Sequence, residues 1–251
     1  MKNLICGYGN IGKHILKEFI SISDSFKIYD KYMDGYNSAE LLDEHYNYVF
    51  VCVPTEMKGN GECNTSEVKW ICNKIDADVI IIKSAVPVGT CESLCKDNIV
   101  ISPEYYGTTQ HSLESPNFVV LGGNENYCCK VTQLYSRVKN GAFSYIYVDW
   151  KTAELAKYME NCWIATKVTF CNEFADIAKA FGIQYERLRQ CFVADERVNP
   201  SHTYVYPEQP YYDSHCLNKD IPALLVSCKS NKIKTLLIDK VHMINLERKS
   251  K

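Results

Sequence analysis

The stretch NLICGYGNIG, residues 3–12, decides the fold. A short apolar run of strand length leads straight into three glycines, Gly7, Gly9 and Gly12, and the helical-looking IGKHILKEFI follows. A strand that turns through G-x-G-x-x-G into a helix gives each glycine a task. Gly7 permits the tight turn, Gly9 lets the backbone approach a pyrophosphate, and Gly12 lets helix and strand pack closely. The helix start then offers N–H groups to phosphate. Gly7, Tyr8, Gly9, Asn10, Ile11 and Gly12 are therefore the first candidate cofactor contacts. Alone, the same pattern also describes a glycine turn that binds nothing.

Context sharpens it. The next apolar run, FKIYD, ends in Asp30, about 20 residues on, where a carboxylate can accept hydrogen bonds from both ribose hydroxyls of a dinucleotide. An acid there repels a 2′-phosphate, which favours NAD over NADP. Lys31, beside it, leaves that preference open to challenge. Further runs of strand composition follow: YVFVCV, DVIIIKS, NIVIS, FVVLGG and YIYV. Between several of them lie amphipathic stretches such as NTSEVKWICNKI, with Val68, Ile71, Cys72 and Ile75 at helical spacing. Strand–helix alternation predicts a Rossmann-like, doubly wound and mainly parallel sheet over residues 1–148, with helices on both faces. In such a sheet ligands gather at the carboxyl ends of strands. Val53, Pro54 and Thr55 (VPT) and Ser84 and Ala85 (in KSAVPVGT) thereby become candidate cofactor contacts, although Pro and Gly also simply punctuate βα turns.

Bulk properties restrict the function classes. A chain of 251 residues fits one large domain or two smaller ones. A net charge of −2 gives no footprint for nucleic acid. No apolar run reaches about 18 residues, so no membrane span is expected. The glycines come too soon after the start for a signal peptide. Thirteen scattered cysteines in such a chain suggest free thiols in a reducing cytoplasm. Without paired C-x-x-C knuckles, no metal is expected.

The character changes near Asp149. From Trp150 to Phe181 there is neither proline nor glycine, and apolar residues recur every three to four positions. One long helix is predicted, capped by Gly182. Shorter helices are expected near 186–194, 217–229 and 233–248, so residues 149–251 form an all-helical domain around the long helix. Lys157 and Asn161, four apart, project from one face of that helix. A cation and an amide aimed together can stabilise a developing oxyanion, though such a pair also suits an exposed helical face. In YYDSHCLNKD, residues 211–220, Cys216 falls where a loop gives way to a helix. The positive end of the helix dipole favours thiolate there. The plainer reading is an ordinary cysteine beside a helix cap.

Taken in order, GYGNIG, VPT, KSAVPVGT, SPEYY (102–106), TAELAKYMENCWIATKV, DERVNPSH and HCLNKD resemble the nucleotide-sugar 6-dehydrogenase family of UDP-glucose/GDP-mannose type. The resemblance spans nearly the whole chain. Its glycine motif is generic, whereas the run from AELAKYMEN to CLNKD is specific to the family. It implies NAD as cofactor and oxidation of a primary alcohol to a carboxylate through a thiohemiacetal and a thioester. It implies Cys216 as nucleophile, Lys157 and Asn161 as the substrate-binding, oxyanion-stabilising pair, and Asp220 as an assistant to proton transfer. Glu104 is linked to thioester hydrolysis, and Arg197 reaches the substrate of a neighbouring subunit. Tyr105 and Tyr212 fall on the substrate side and Lys219 on the cofactor side. A homodimer built on the long helix is implied too.

The match has departures. Tyr211, Tyr212 and Asp213 stand where the family has small residues before its cysteine, and Asp213 brings a negative charge toward a phosphorylated substrate. Ala85 replaces a threonine, and SPEYYGTTQ lacks the family's Phe-Leu pair. No further strand–helix alternation follows Cys216, so the family's C-terminal UDP-binding domain is expected to be absent. Two rival readings stay open. One is oxidation of a smaller hydroxy acid or sugar, in the wider 6-phosphogluconate dehydrogenase-like group, which has no need of Cys216. The other is a non-catalytic nucleotide-binding homologue.

Overall fold

The computed structural model describes residues 1–105 and 116–251. Tyr106 and the GTTQ that follows lie outside the described residues. The chain divides into two compact units. The first takes in residues 1–58, 63–105 and 116–157, and the second residues 59–62 and 158–251.

The first unit is a seven-stranded sheet with helices on both faces. Its elements are β1 (Asn3–Cys6), α1 (Asn10–Glu18), β2 (Phe26–Tyr29), β3 (His45–Val51), α2 (Ser66–Lys74), β4 (Asp76–Ile82), β5 (Ile99–Ile101), β6 (Phe118–Gly123), α3 (Glu125–Tyr135) and β7 (Ser144–Val148). The strand order is β2-β1-β3-β4-β5-β6-β7. All pairings are parallel except β5 with β6. The seven apolar runs read from the sequence are the seven strands.

Period-two alternation explains how these runs fill two cores. Leu4, Cys6, Val49, Val51, Ile80, Ile82, Ile99 and Ile101 face one layer, with Val68, Ile71 and Cys72 of α2. Their neighbours Ile5, Phe50, Val79, Ile81 and Val100 face the other, with Ile15 of α1 and Val131, Leu134 and Tyr135 of α3. Strands buried on both faces carry near-continuous β-branched residues, as parallel sheets require.

The long helix α4 (Trp150–Ala180) begins against this sheet. Trp150 Nε1–H donates to the Ile99 carbonyl at 2.9 Å. Ala153 packs on Gly122, where any Cβ would come within 2.5 Å of the alanine methyl. Glu154 is fully buried, and its carboxylate accepts the backbone N–H groups of Gly89 (2.6 Å) and Cys91 (2.8 Å). Burial pushes this carboxyl up, and the two N–H donors oppose the shift. At its far end Gly182 adopts φ +69°, the Gly182 N–H bonds to Lys179 O, and the Ile183 N–H reaches back to Ala178 O at 2.8 Å. This pair of bonds is the expected glycine cap.

The second unit is helical. Besides most of α4 it contains α5 (Tyr185–Val193), α6 (His215–Ser230) and α7 (Leu236–Lys249). Its core gathers Cys162, Ala165, Tyr212, Leu217, Ile221 and Val241. No described helix is long and apolar enough to cross a membrane.

Candidate functional site

At the carboxyl end of β1 the glycines behave as their spacing requires. Gly7 has φ +94°, and a Cβ there would lie 2.7 Å from the Cys52 carbonyl. A Cβ on Gly12 would lie 2.1 Å from the Gly7 carbonyl. Gly9 is different: a Cβ there would meet nothing of the protein within 4 Å. It is also the N-cap of α1, and no side chain caps that end. The Asp30 carboxylate is fixed beside the turn, accepting the Tyr8 N–H at 2.7 Å and the Tyr32 N–H at 2.9 Å. An open cradle at Gly9, an uncapped helix start and an oriented carboxylate fit a dinucleotide.

The next two strand ends are tied together. Thr55 Oγ1–H donates to the Ala85 carbonyl (2.9 Å), and Ser84 Oγ–H to the Val53 carbonyl (2.6 Å). These hydroxyls brace the ends of β3 and β4, with Pro54 exposed between them. Beyond β5, Glu104 pairs with Lys83 at 3.3 Å, the two side chains being only 11% and 3% exposed. Lys83 also donates to Ser102 Oγ at 3.3 Å. The Tyr105 N–H donates to Glu104 Oε1 at 3.0 Å, and the Lys157 ammonium lies 4.9 Å from the centre of the Tyr105 ring. Glu104, Tyr105 and Lys157 thus form one group within the first unit.

In the second unit the polar centre is Asp220, 2% exposed. It accepts Asn161 Nδ2–H at 2.7 Å and Lys219 Nζ–H at 2.6 Å. Cys216 stands one helical turn before it, as the second residue of α6, and is exposed. Ser214 caps the helix by accepting the Leu217 N–H at 3.3 Å.

This setting separates Cys216 from the deeply buried cysteines and from the other exposed ones. Burial pushes the thiols of Cys52 and Cys72 up to about 12 and that of Cys162 up to about 11. Such thiols are inert. The exposed ones are Cys95, Cys191 and Cys216. Cys95 closes a 3-10 turn, and Cys191 lies in the last turn of α5. Both therefore sit at negative helix ends, and Cys216 sits at a positive one.

The segment before Cys216 is gripped by α7. Asn245 is buried, and its amide holds the backbone of Tyr212 on both sides: its oxygen accepts the Tyr212 N–H at 2.8 Å and its nitrogen donates to the Tyr212 carbonyl at 3.1 Å. The Tyr212 ring is buried in the unit core, with its hydroxyl 3.1 Å from His242 Nδ1. Asp213 pairs with the Lys249 ammonium and accepts Asn218 Nδ2–H at 2.7 Å. These contacts hold its carboxyl below the usual range, Lys249 contributing most. The charge expected to face a substrate is therefore met by a lysine. Asn245→Ala leaves a buried donor and acceptor of Tyr212 unpaired, so a loss of about 3 kcal/mol is expected. A thermal melt should fall by roughly 5–10 °C, and an unchanged melt would show that the clamp contributes nothing.

Arg197 is not gathered with these groups. Its guanidinium binds Asp195 (Nε 2.9 Å, Nη2 2.5 Å) and is almost fully exposed. The loop after it is strapped down: Lys167 donates to Ser201 O (2.6 Å), Arg189 to Thr203 Oγ1 (2.8 Å), and the Tyr185 hydroxyl to Thr203 O (2.8 Å).

Glu154 and Asn245 escaped the sequence reading, and Lys83 entered it only as the first residue of KSAVPVGT. Lys83 carried a signal, being a cation that directly continues the apolar run DVIII. Glu154 offered the same kind of signal, an acid amid the inward-facing positions of α4. Asn245 gave none beyond its helical spacing from His242 and Lys249.

Comparison with known proteins follows from this geometry. Residues 31–139 match the model of the UDP-glucose/GDP-mannose dehydrogenase family, NAD binding domain, and residues 151–247 match that family's central domain. The chain is 27% identical over 252 residues to a UDP-glucose 6-dehydrogenase of Rickettsia bellii, covering 89% of this chain and 57% of that protein. It is also 27% identical over 220 residues to a GDP-mannose 6-dehydrogenase of Pseudomonas putida, covering 78% and 49%. The chain thus spans about half the length of the relatives it matches. A solved structure of a UDP-glucose dehydrogenase from Pyrobaculum islandicum superposes with a TM-score of 0.80 at 19% identity, over 98% of this chain and 68% of that one. At that identity the likeness is one of fold.

Proposed function

Because the chain belongs to the UDP-glucose/GDP-mannose dehydrogenase family and carries its NAD-binding domain, we propose that it is an NAD-dependent 6-dehydrogenase of a nucleotide sugar of the UDP-glucose type, converting a primary alcohol to a carboxylate. One observation carries this reading: Asp220, buried and holding both Asn161 and Lys219, stands one turn from the exposed thiol of Cys216 at the start of α6. A hydroxy-acid oxidation would need no such thiol.

NAD, when bound, supplies the hydride acceptor. Residues 1–148 hold it, with Gly7 to Gly12 and Asp30 on the pyrophosphate and ribose, and Val53, Pro54, Thr55, Ser84 and Ala85 lining the rest; Lys219, outside that range, is assigned to the cofactor side by the family resemblance. Residues 149–251 supply the nucleophile, the oxyanion pair and the proton carrier, and Glu104 and Tyr105 add to them from the first unit. Lys157 and Asn161 stabilise negative charge on the sugar oxygen. Cys216 as thiolate adds to the aldehyde carbon and forms a thiohemiacetal. Loss of a hydride and a proton from that adduct leaves a thioester. Water, activated from the Glu104 side, adds to the thioester carbonyl, and the C–S bond breaks to give carboxylate and thiol. Asp220 takes up and returns protons. Tyr105 contacts the substrate, Arg197 reaches the substrate of the neighbouring subunit in the proposed dimer, and Tyr212 acts by fixing the segment that leads to Cys216. A thiol nucleophile suits a reducing compartment, the cytoplasm.

The decisive experiment is a screen of NAD reduction against UDP-glucose, GDP-mannose and the corresponding free sugars. Two NADH per nucleotide sugar support the full reaction, and one means that oxidation stops at the aldehyde. Reduction with free sugars or hydroxy acids alone sinks the reading.

The same proposal includes a homodimer through α4. Met159, Trp163, Phe170, Phe174 and Ile177 are exposed along that helix at spacings of 4, 7, 4 and 3, and Phe181, exposed just past its end, continues the row after 4 more. This is an apolar seam at helical period. Light scattering at micromolar concentration should give twice the chain mass, and Trp163→Glu should give one. A monomeric wild type overturns the dimer.

A further inference from the structure

The sequence sets Asp30 against Lys31: the first excludes a 2′-phosphate, and the second could bind one. The structure separates them. Asp30 is turned to the glycine loop, bonded to the Tyr8 and Tyr32 N–H groups. Lys31 is turned to α2, where its ammonium lies 3.2 Å from Glu67 Oε1, 5.3 Å from the Tyr32 ring centre and 6.0 Å from the Trp70 ring centre. The Tyr32 hydroxyl donates to the same Glu67 oxygen at 3.4 Å. An anion and two aromatic faces therefore hold one cation from three sides. On the other side of the turn, Lys13 of α1 sits over the Tyr8 ring at 5.7 Å.

We propose that Glu67 is a second determinant of dinucleotide choice, acting by holding the Lys31 ammonium on the α2 side and so denying it to a 2′-phosphate. The lysine's charge is then already answered by Glu67, while Asp30 faces the glycine loop. Lys31 lies next in sequence to the carboxylate that faces the ribose hydroxyls, within a long side chain's reach of a 2′-phosphate once released. Glu67 thus decides whether Lys31 is a neutralised surface group or a phosphate ligand. The inference rests on the reading of Asp30 as the ribose contact.

Calorimetric titration of NAD and NADP into the whole chain tests it without any sugar substrate. The wild type should prefer NAD. Glu67→Gln should tighten NADP by about threefold to fivefold, the worth of the exposed ion pair that otherwise holds Lys31, with NAD affinity within about twofold. Lys31→Met in the wild-type background should move neither affinity by more than about twofold, because its ammonium is already engaged. In Glu67→Gln it should abolish the gain, while Lys13→Met should leave the gain in place. A wild type that holds NADP as tightly as NAD overturns the Asp30 reading, and this inference with it. A wild type that prefers NAD, with a Glu67→Gln variant whose NADP affinity is unmoved, overturns the role of Glu67 alone. So does a gain that persists without Lys31. Matching melts of the variants confirm that the fold is intact.

Discussion

Cys216→Ala is expected to abolish conversion of the cognate nucleotide sugar to its acid, lowering two-equivalent NAD reduction by about a thousandfold or more. The first oxidation needs only a hydride acceptor and a base, so single-turnover mixing should still release up to one NADH. The second needs a carbon that can part with another hydride, and the thiol adduct provides it. Cys216→Ser gives the sharper readout. Its oxygen is a weaker nucleophile and its ester a slower one to cleave, so an acylated enzyme should accumulate and be visible by intact mass. Exposure of the residue at the second position of α6 makes a folding defect an unconvincing excuse for either variant. Full two-equivalent turnover by Cys216→Ser would remove the thiol from the mechanism and favour the smaller hydroxy-acid reading.

The second large effect is expected at the glycine turn, where two substitutions of the same size should fail in different ways. In Gly12→Ala the new methyl would lie 2.1 Å from the Gly7 carbonyl, and backbone cannot yield as a side-chain tip can. The turn must open, at a cost of about 3 kcal/mol or more, and NAD binding should be lost with it. In Gly9→Ala the methyl meets no protein atom within 4 Å, so the melting temperature should stay within about 1 °C of the wild type. NAD affinity should nonetheless fall by about a hundredfold, because the methyl fills the space where the backbone must approach a pyrophosphate. Calorimetry beside a thermal melt reads both quantities. A Gly9→Ala protein that still binds NAD tightly would show that the pyrophosphate lies elsewhere.

The sheet was legible because its strands are doubly buried: DVIII and NIVI have little choice but to be strands between two layers. The long helix was legible because nothing in it breaks a helix before Gly182. What sequence could not give was direction and reach. The reversal between β5 and β6 leaves no mark on either run, since parallel and antiparallel strands bury the same residue types. The candidate site was legible in part, through motifs whose neighbours in space are neighbours in sequence, such as Cys216, Lys219 and Asp220. Partners far along the chain were silent. Asn161 meets Asp220 across 59 residues, and Asn245 meets Tyr212 across 33. Tyr212 shows the limit most plainly. Its place in a motif suggested a substrate contact, whereas its ring is a core side chain.

The grip of α7 on the residues before Cys216 has a consequence for the order in which the molecule is made. Synthesis runs from the amino end, and the exit tunnel of a ribosome conceals the most recently added stretch of chain. Tyr212 and Asp213 are added to the chain before Asn245 and Lys249, and until α7 folds they have neither of their partners on it. The proposed nucleophile, Cys216, until then follows an unanchored segment, open to oxidation and to wrong partners among twelve other cysteines. Its setting is completed only when α7 grips Tyr212 and Asp213 ahead of it, so the proposed nucleophile is made before the helix that anchors the segment leading to it.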